Sequence, residues 1–399
     1  MRILIVGMAD SIHTVRWISL ISDIPWKISL FHSKDYGMVH EDLRGVDAYN
    51  VHPCRGGASE RGGESRRAFS VETIRKIYGR ARKELFPEYR RGRMARLVTK
   101  LRPDIVHSLE IQHAGYLVAE VKKDLGGSFP PWIVTNWGSD IYLFGRLPEH
   151  AARIREVLAS CDYYSCECQR DVSLARQFGF TGTVLPVIPN SGGFDMGSVS
   201  SLRGPESTAD RRQIMLKGYQ SWSGRALAGV RALERCADLL AGYEIVIYSA
   251  SADVALACRL FQEATGVPVR ILPKSTPHRE ILRHHGHARI SLGLNISDAI
   301  STSLLEAMVM GSFPIQSWTS CADEWIEDGV TGILVPPEDP EVIERAIRRA
   351  LTDDRLVDDA AERNYRLSRE KLDRSAVSTM AKSIYRTVAK ENGIPAEKG

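Results

Sequence analysis

The chain has 399 residues, 43% of them hydrophobic and 26% charged, which are the proportions of a globular protein rather than a disordered one. No apolar run reaches the roughly 20 residues that span a bilayer. The formal net charge of +4 comes with no recognised nucleic-acid-binding module, so membrane-spanning and nucleic-acid-binding classes are excluded.

The first half of the chain alternates apolar runs with helical patterns. The opening MRILIVGMAD is predicted as a strand rather than a signal peptide, which indicates a cytoplasmic protein. This alternation predicts a parallel sheet covered on both faces. Strands are predicted at 2–7, 27–32, 104–110, 132–138, 162–167 and 183–190, and helices at 15–22, 114–123, 151–159 and 171–178.

A basic stretch at 52–102 carries 15 Lys or Arg against 5 acids, with apolar residues such as Met94, Leu97 and Leu101 between the charges. A basic helix of this kind can lie peripherally on an anionic membrane. The same apolar spacing is also what a helix packed on a core requires. The sequence leaves both interpretations open.

The cysteines and clustered histidines are not expected to bind a metal. The chain has no CxxC pair beside the cysteine cluster at 161–168, and reduced structural thiols fit the expected compartment. His284, His285 and His287 follow one another near a predicted helix end and are expected at the surface.

Residues 191–212, rich in Gly, Ser, Pro and charge, interrupt the pattern and mark the best domain boundary. We therefore expect two doubly wound α/β domains, 1–195 and 196–375, and a C-terminal helix within 376–399 that can cross back to the first domain. Ligands of such sheets bind beyond the carboxyl ends of the strands. The second series of strands is predicted at 213–218, 243–250, 269–273, 289–295, 313–318 and 332–337.

The most informative segment is 297–336, in which Asp298 and Glu306 have seven residues between them. The small-polar loop 299–303 separates the two acids just before a short predicted helix. Free N–H groups at a helix start suit phosphate, and carboxylates suit hydroxyls. A sugar joined to a nucleotide through a diphosphate presents both, so the segment predicts a nucleotide-sugar site.

The run LLEAMVMGSFPIQS, followed by Glu324 and DGVTGILVPPEDPEVIERAI, closely resembles the C-terminal domain of retaining glycosyltransferases of family four. Weaker landmarks agree in the first half, at 103–107, 135–140 and 187–195. The resemblance implies the GT-B fold, in which two Rossmann-like domains face each other across a cleft. It also implies a hexosyltransferase that moves a sugar from a nucleotide diphosphate to an acceptor hydroxyl with retention of configuration.

The resemblance further implies that no metal or other cofactor is needed. Uridine is the default base of the donor. The acceptor is expected to be a glycan, a glycolipid or a small molecule, in bacterial polysaccharide, glycolipid or glycoconjugate biosynthesis. His107, Glu110 and His113 could share a face as metal ligands, but the GT-B fold generally works without one.

Roles for particular residues also follow from the resemblance. Asp298 would stabilise positive charge on the transferred sugar, Glu306 would bind the ribose, and Lys217 and Arg225 would neutralise the leaving diphosphate. Glu324 would cap a turn or contact the donor. The other predicted donor contacts are Ser301, Thr302, Ser303, Gly218 and Gly7, and the predicted acceptor or sugar contacts are Asp10, His13, His107 and Asp140.

Structural alternatives and departures from the family pattern stay open. The acidic, basic and hydroxyl residues predicted as contacts are also the types that cap helices or lie at the surface as ordinary charges, so each predicted contact has a structural alternative. Asp298 stands where the family usually has Glu, Trp137 stands where it often has His, and its donor loop appears here as LKGYQSWSGRAL. A nucleotide-sugar epimerase or hydrolase on the same scaffold, and a non-catalytic nucleotide-binding partner, are the alternative functions.

Overall fold

The computed structural model describes residues 1–35, 38–51 and 88–395. Most of the basic stretch lies outside these residues, so its contact with a membrane stays a prediction. Its described part forms a helix over Tyr89–Leu101 that buries Met94, Leu97 and Val98, as a packed helix requires. None of the helices in the described residues combines the length and the apolar character needed to span a bilayer.

The chain divides into two compact units. The first comprises Met1–Cys166, Val172–Gly192 and Ser378–Gly399, and the second comprises Glu167–Asp171 and Gly193–Val377. The predicted boundaries at 195 and 375 lie near these points. The assignment of Glu167–Asp171 to the second unit was not predicted, because no change of composition marks that segment.

The first unit is built on a seven-stranded parallel sheet in the order β3-β2-β1-β4-β5-β6-β7. The strands are β1 (Arg2–Gly7), β2 (Lys27–His32), β3 (Asp47–Tyr49), β4 (Ile105–Leu109), β5 (Trp132–Thr135), β6 (Tyr163–Ser165) and β7 (Thr183–Val184). The helices along this part of the chain are α1 (Ile12–Leu20), α2 (Tyr89–Leu101), α3 (Tyr116–Leu125), α4 (Ser139–Tyr142), α5 (Pro148–Ser160) and α6 (Gln169–Gln177), with a π-helix at Ile111–Gly115 and 3-10 helices at Gly126–Ser128 and Phe144–Arg146.

Strand β1 shows why the apolar runs of this unit are continuous rather than alternating. Its Ile5 pairs with Leu30 of β2 on one side and with His107 of β4 on the other. Every residue of β1 after Arg2 is buried. Parallel strands covered on both faces require apolar side chains at successive positions.

The second unit is built on a six-stranded parallel sheet in the order β10-β9-β8-β11-β12-β13. The strands are β8 (Gln213–Lys217), β9 (Glu244–Tyr248), β10 (Val269–Ile271), β11 (Ala288–Gly293), β12 (Phe313–Ser317) and β13 (Ile333–Val335). The helices along this part of the chain are α7 (Met196–Ser200), α8 (Ala226–Arg235), α9 (Ala252–Thr265), α10 (His278–His287), α11 (Thr302–Met310), α12 (Pro340–Thr352), α13 (Asp354–Lys371) and α14 (Arg374–Glu391), with 3-10 helices at Thr208–Asp210, Ala237–Leu239, Trp318–Ser320 and Ala322–Glu324. Most of α14, from Ser378 onwards, belongs to the first unit.

The two predicted doubly wound domains are confirmed, and the differences concern the ends of some elements and a few short elements that were not predicted. The strand predicted at 183–190 shrinks to Thr183–Val184, because Pro186 and Pro189 have no N–H to donate to a neighbouring strand. Strand β3 was not predicted. It has only three residues, none of them fully buried, and so offers no apolar pattern.

Candidate functional site

The predicted donor residues of the second unit gather at the carboxyl edge of its sheet. Lys217 ends β8, and the loop that carries Asp298 follows β11, the strand that pairs with β8. Because parallel strands place their carboxyl ends at one edge, the two side chains share that edge. The positive charge of Lys217 acts on the Asp298 carboxyl group and lowers its pKa.

Asp298 is half-buried, and loss of hydration raises the pKa of its carboxyl group above the ordinary value. This effect outweighs the opposing charges of Lys217 and Arg170. Oδ1 accepts a hydrogen bond from the Ala299 N–H at 3.0 Å. The N-cap residue of α11 is Ser301, so the alternative in which Asp298 caps this helix is wrong.

Arg170 holds the Asp298 loop from the segment Glu167–Asp171. Its Nη2 donates to the Asp298 carbonyl oxygen at 2.7 Å, and its Nη1 donates to the Thr319 carbonyl oxygen at 3.0 Å. Its charge also acts on the Asp298 carboxyl group. Sequence reasoning missed this residue, because 128 positions separate it from Asp298.

Glu324 caps a helix, which is one of its two predicted roles. Its carboxylate accepts hydrogen bonds from the backbone N–H of Gln169 at 2.8 and 3.0 Å and from that of Arg170 at 3.3 Å. These amides open helix α6, where a negative charge is favourable. Both carboxylate oxygens are therefore engaged.

The predicted phosphate-binding serines begin helix α11. Ser301 and Ser303 are buried, and their hydroxyl oxygens lie 2.7 Å apart. The Ser301 side chain makes no capping hydrogen bond. Thr302 is the one residue of α11 that is not buried, so it is the member of the trio with a partly exposed side chain.

Glu306 lies inside the second unit rather than on a solvent-facing helix surface, which contradicts the alternative interpretation of this acid. Its side chain is 6% exposed. His278 Nε2 donates to Oε1 at 2.6 Å, and His285 Nε2 lies 3.7 Å from Oε2. The negative charge of Glu306, after burial, contributes to the raised pKa of Tyr248.

The expectation that the three clustered histidines lie at the surface is wrong for His285, which is 1% exposed. Burial lowers its pKa to about 4, so the ring is neutral at physiological pH. Its Nδ1 lies 2.8 Å from the Ser291 hydroxyl oxygen. The run of three histidines looked polar, but α10 places only the middle one on its buried face.

Arg225 and Gly218 shape the loop after β8. Arg225 Nε donates to Glu338 Oε1 at 2.5 Å. The negative charge of Glu338 compensates the positive charge of Arg225, which is unfavourable at the start of helix α8. The Gly218 N–H donates to the Tyr248 carbonyl oxygen at 2.8 Å. A Cβ at Gly218 would meet Ala250 Cα at 2.7 Å, so only glycine permits this approach.

In the first unit, Gly7 ends β1, and the loop after it carries Asp10 and His13. Ser11, not Asp10, is the N-cap residue of α1, and its hydroxyl oxygen accepts from the His13 N–H at 3.3 Å. Asp10 is exposed and His13 is half-exposed. The His13 ring lies 5.4 Å from the Trp137 ring. The predicted acceptor contact and the residue that departs from the family pattern are therefore neighbours.

His107 is fully buried in the first unit, and its contact with a substrate stays a prediction. Its Nδ1 lies 2.7 Å from the Tyr385 hydroxyl oxygen, and its Nε2 lies 2.7 Å from Thr135 Oγ1. Burial lowers the pKa of His107 to about 3. Both ring nitrogens are engaged within the unit, so His107 has a structural position.

Asp140 and Glu110 organise backbone in the first unit. Asp140 accepts from the Trp137 N–H at 2.7 Å and from the Ile111 N–H at 3.1 Å. Glu110 has a φ of 77°, accepts from the His113 N–H, and has its pKa raised by burial to about 7. Among the described residues, the one cluster that could hold a metal is Cys168, Cys321 and Glu324, so His107, Glu110 and His113 do not form the metal site considered from the sequence.

Two family models match the chain. Residues 2–162 match one described as glycosyl transferase 4-like, and residues 258–367 match one described as glycosyl transferases group 1. The second match includes Asp298 and Glu306. No curated protein matches the sequence.

Solved structures of similar fold cover nearly the whole chain. Sucrose-phosphate synthase from Thermosynechococcus elongatus is 14% identical with a TM-score of 0.67, and the match covers 98% of this chain and 100% of that chain. HepE from Anabaena, in complex with UDP and glucose, is 14% identical with a TM-score of 0.66 and the same coverage. A glycosyltransferase from Rickettsia africae is 14% identical with a TM-score of 0.65, and the match covers 98% of each chain.

Proposed function

Because the chain belongs to the glycosyltransferases of the GT-B fold, we propose that it transfers a sugar, with retention of configuration, from a UDP-sugar to an acceptor hydroxyl. The observation that carries the proposal is the edge of the second unit at which Lys217, Asp298 and the start of α11 meet. The solved structure of HepE holds UDP and glucose, which supports a UDP-sugar as the donor.

The proposed donor site divides the nucleotide sugar among three elements. The backbone N–H groups at the start of α11 and the charge of Lys217 would bind the diphosphate. Glu306, which His278 orients, would accept hydrogen bonds from the ribose hydroxyls. Asp298, which Arg170 positions through its carbonyl oxygen, would lie beside the transferred sugar.

In the proposed reaction the acceptor oxygen attacks the anomeric carbon from the face on which the diphosphate leaves. The bond from that carbon to the diphosphate oxygen breaks as the new bond forms, and the leaving phosphate takes the acceptor proton. Lys217 and Arg225 would stabilise the charge that builds on the leaving group, and Asp298 the positive charge on the sugar. The acceptor is proposed to bind the first unit near Asp10 and His13.

A panel of nucleotide sugars in a thermal-shift assay, followed by a transfer assay with the donor that binds, tests this function. A true donor raises the melting temperature, because it binds only the folded chain. Replacing Glu306 by Ala should weaken binding of that donor by about 10–100-fold, since hydrogen bonds to a charged group are lost. Glu280→Ala on helix α10, an exposed acid paired with Arg283, is the matched control and should bind normally.

Three other outcomes would contradict the proposal. Release of free or epimerised sugar without any acceptor would indicate a hydrolase or an epimerase. Donor binding without transfer to any acceptor would indicate a non-catalytic partner. Transfer that survives Glu306→Ala at the wild-type donor affinity would remove the proposed ribose site.

A further inference from the structure

Two cysteines face each other inside the second unit, away from the proposed donor contacts. Cys168 lies in the segment Glu167–Asp171, and Cys321 follows the 3-10 helix Trp318–Ser320. Their sulfur atoms are 3.0 Å apart, and both side chains belong to one buried apolar cluster. Non-bonded heavy atoms normally rest about 3.5–4.0 Å apart, so the two thiols are held in close contact.

The pair and Glu324 form the metal-ligand cluster noted above, but their geometry does not suit a metal. Zinc–sulfur bonds of about 2.3 Å at the tetrahedral angle would hold the two sulfurs about 3.8 Å apart. The observed separation is 3.0 Å. Glu324 in addition uses both carboxylate oxygens to cap α6.

We propose that Cys168 and Cys321 are an oxidisable dithiol that a small peroxide converts into an intramolecular disulfide. The contact with Cys321 and burial raise the pKa of the Cys168 thiol, so Cys321 supplies the attacking thiolate. This thiolate attacks a peroxide oxygen, the O–O bond breaks, and the released hydroxide takes up a proton to form water. The sulfur of the second cysteine then attacks the sulfenic acid, the S–S bond forms as the S–O bond breaks, and the leaving hydroxide takes the proton of the second thiol to give a second water. Hydrogen peroxide is reduced to two waters while two thiols become one disulfide.

The position of the pair gives the disulfide a consequence for the proposed donor site. Arg170, two residues after Cys168, donates to the carbonyl oxygens of Asp298 and Thr319, and Thr319 lies two residues before Cys321. The cross-link would therefore fasten covalently the same two segments that Arg170 already joins. Because the sulfurs are 3.0 Å apart, they need to approach by only about 1 Å to reach the length of an S–S bond.

Cys321 also has a φ of 48°, which a residue other than glycine rarely adopts. The backbone holds the Cys321 side chain towards Cys168 at some cost in strain. A cysteine that only packs against apolar side chains would not need this strained backbone conformation. A cysteine whose sulfur has to lie against a second sulfur would need it.

Peptide mapping of the wild-type protein tests the proposal directly. The folded chain is treated with a small excess of hydrogen peroxide, denatured, alkylated and digested with trypsin and a Glu-specific protease. Cleavage at Glu167 separates Cys168 from Cys166, and cleavage at Glu306 and Glu324 isolates Cys321. We expect the fragments 168–170 and 307–324 joined, a loss of two alkylated thiols, a mass lower by two hydrogens, and reversal by dithiothreitol.

Variants and stability provide the controls. Cys166→Ser, two residues from Cys168, should keep the cross-link, and Cys168→Ser should lose it. The oxidised wild type should melt at a higher temperature than the reduced form, since the bond restricts only the unfolded chain. A cross-link to any other cysteine, the absence of one at peroxide levels that oxidise exposed methionines, or a lower melting temperature after oxidation would overturn the proposal, even if Cys168→Ser fails to fold.

Discussion

At the scale of single residues, Asp298 is a carboxylate whose surroundings disfavour its charge. Burial raises its pKa, so the folded state binds the proton more tightly than the unfolded state does. The stabilisation from this carboxyl group is fully present below its unfolded pKa and is lost as the pH rises through its folded pKa. Ionised Asp298 at neutral pH therefore lowers the stability of the fold.

We accordingly predict that Asp298→Asn separates stability from activity. The melting temperature at pH 7 should stay level or rise, because the charge that costs stability is gone. Transfer should fall by about 100-fold or more, the range for losing one preorganised electrostatic contact to a transition state. Asp323→Asn, an exposed acid on the nearby 3-10 helix, should change neither quantity.

Calorimetry and steady-state kinetics on the two variants decide the matter. A clear drop in the melting temperature of Asp298→Asn would mean that the ionised carboxylate supports the loop. Wild-type transfer by that variant would remove Asp298 from the mechanism.

The sequence predicted Asp298 and Glu306 because their spacing is local and a single helix start separates them. It could not predict Arg170 or His278, which reach them from 128 and 28 positions away. Such contacts depend on how the helices pack. Nothing in the sequence around Arg170 or His278 indicates which distant residue each of them contacts. The burial of His107 was hidden for the same reason, since its partner Tyr385 lies 278 positions along the chain.

At the scale of elements, α14 ties three parts of the first unit together through one hydroxyl group. Trp17 Nε1 of α1 donates to the Tyr385 oxygen at 2.8 Å. The hydroxyl hydrogen is then directed at His107 Nδ1 of β4, and His107 Nε2 meets Thr135 of β5. A neutral His107 that donates from Nε2 satisfies every bond in this chain.

Replacing Tyr385 by Phe should therefore lower the free energy of unfolding by about 1–3 kcal/mol, because it leaves Trp17 and His107 with unsatisfied buried polar atoms. Tyr365→Phe is the matched control. Its hydroxyl oxygen lies 2.8 Å from the Ser200 hydroxyl at an exposed position, and its loss should cost no more than about 0.5 kcal/mol. Urea titrations give both values, and equal losses would show that the buried chain of bonds adds nothing.

Helices and strands could be predicted from the sequence where their apolar residues recur with a regular period over several turns or positions. The C-terminal helix predicted within 376–399 is observed as Arg374–Glu391, because long helices carry many turns of apolar periodicity. The π-helix at Ile111–Gly115 was missed. It depends on the Glu110 side chain, which accepts two backbone N–H groups, and no apolar period shows this.

At the scale of the whole molecule, three buried histidines should govern stability in mild acid. Burial lowers the pKa of His32 to about 4, that of His107 to about 3 and that of His285 to about 4. Their folded pKa values lie below the unfolded value, so the unfolded chain takes up protons first. The stabilisation is present above about pH 6.5 and is lost as the pH falls towards 4.

Glu110 acts in the opposite direction, since burial raises its pKa to about 7 and acid relieves the cost of its charge. Asp298, whose pKa burial also raises, acts in the same direction as Glu110, but the three histidines outnumber these two acids and therefore dominate. We predict that the urea midpoint falls steadily between pH 6.5 and 4. An unchanged midpoint over this interval would show that the histidines are protonated in the folded protein.

The bond between Trp17 and Tyr385 spans 368 positions, and it has a consequence for biosynthesis. A ribosome makes Tyr385 only after it has made the whole continuous part of the second unit, Gly193–Val377. The half of the protein that is translated first is thus the last to close its core. A chain terminated before α14 would carry a complete sheet in each half, but Trp17 Nε1 and His107 Nδ1 would lack the Tyr385 hydroxyl group that they contact in the complete fold.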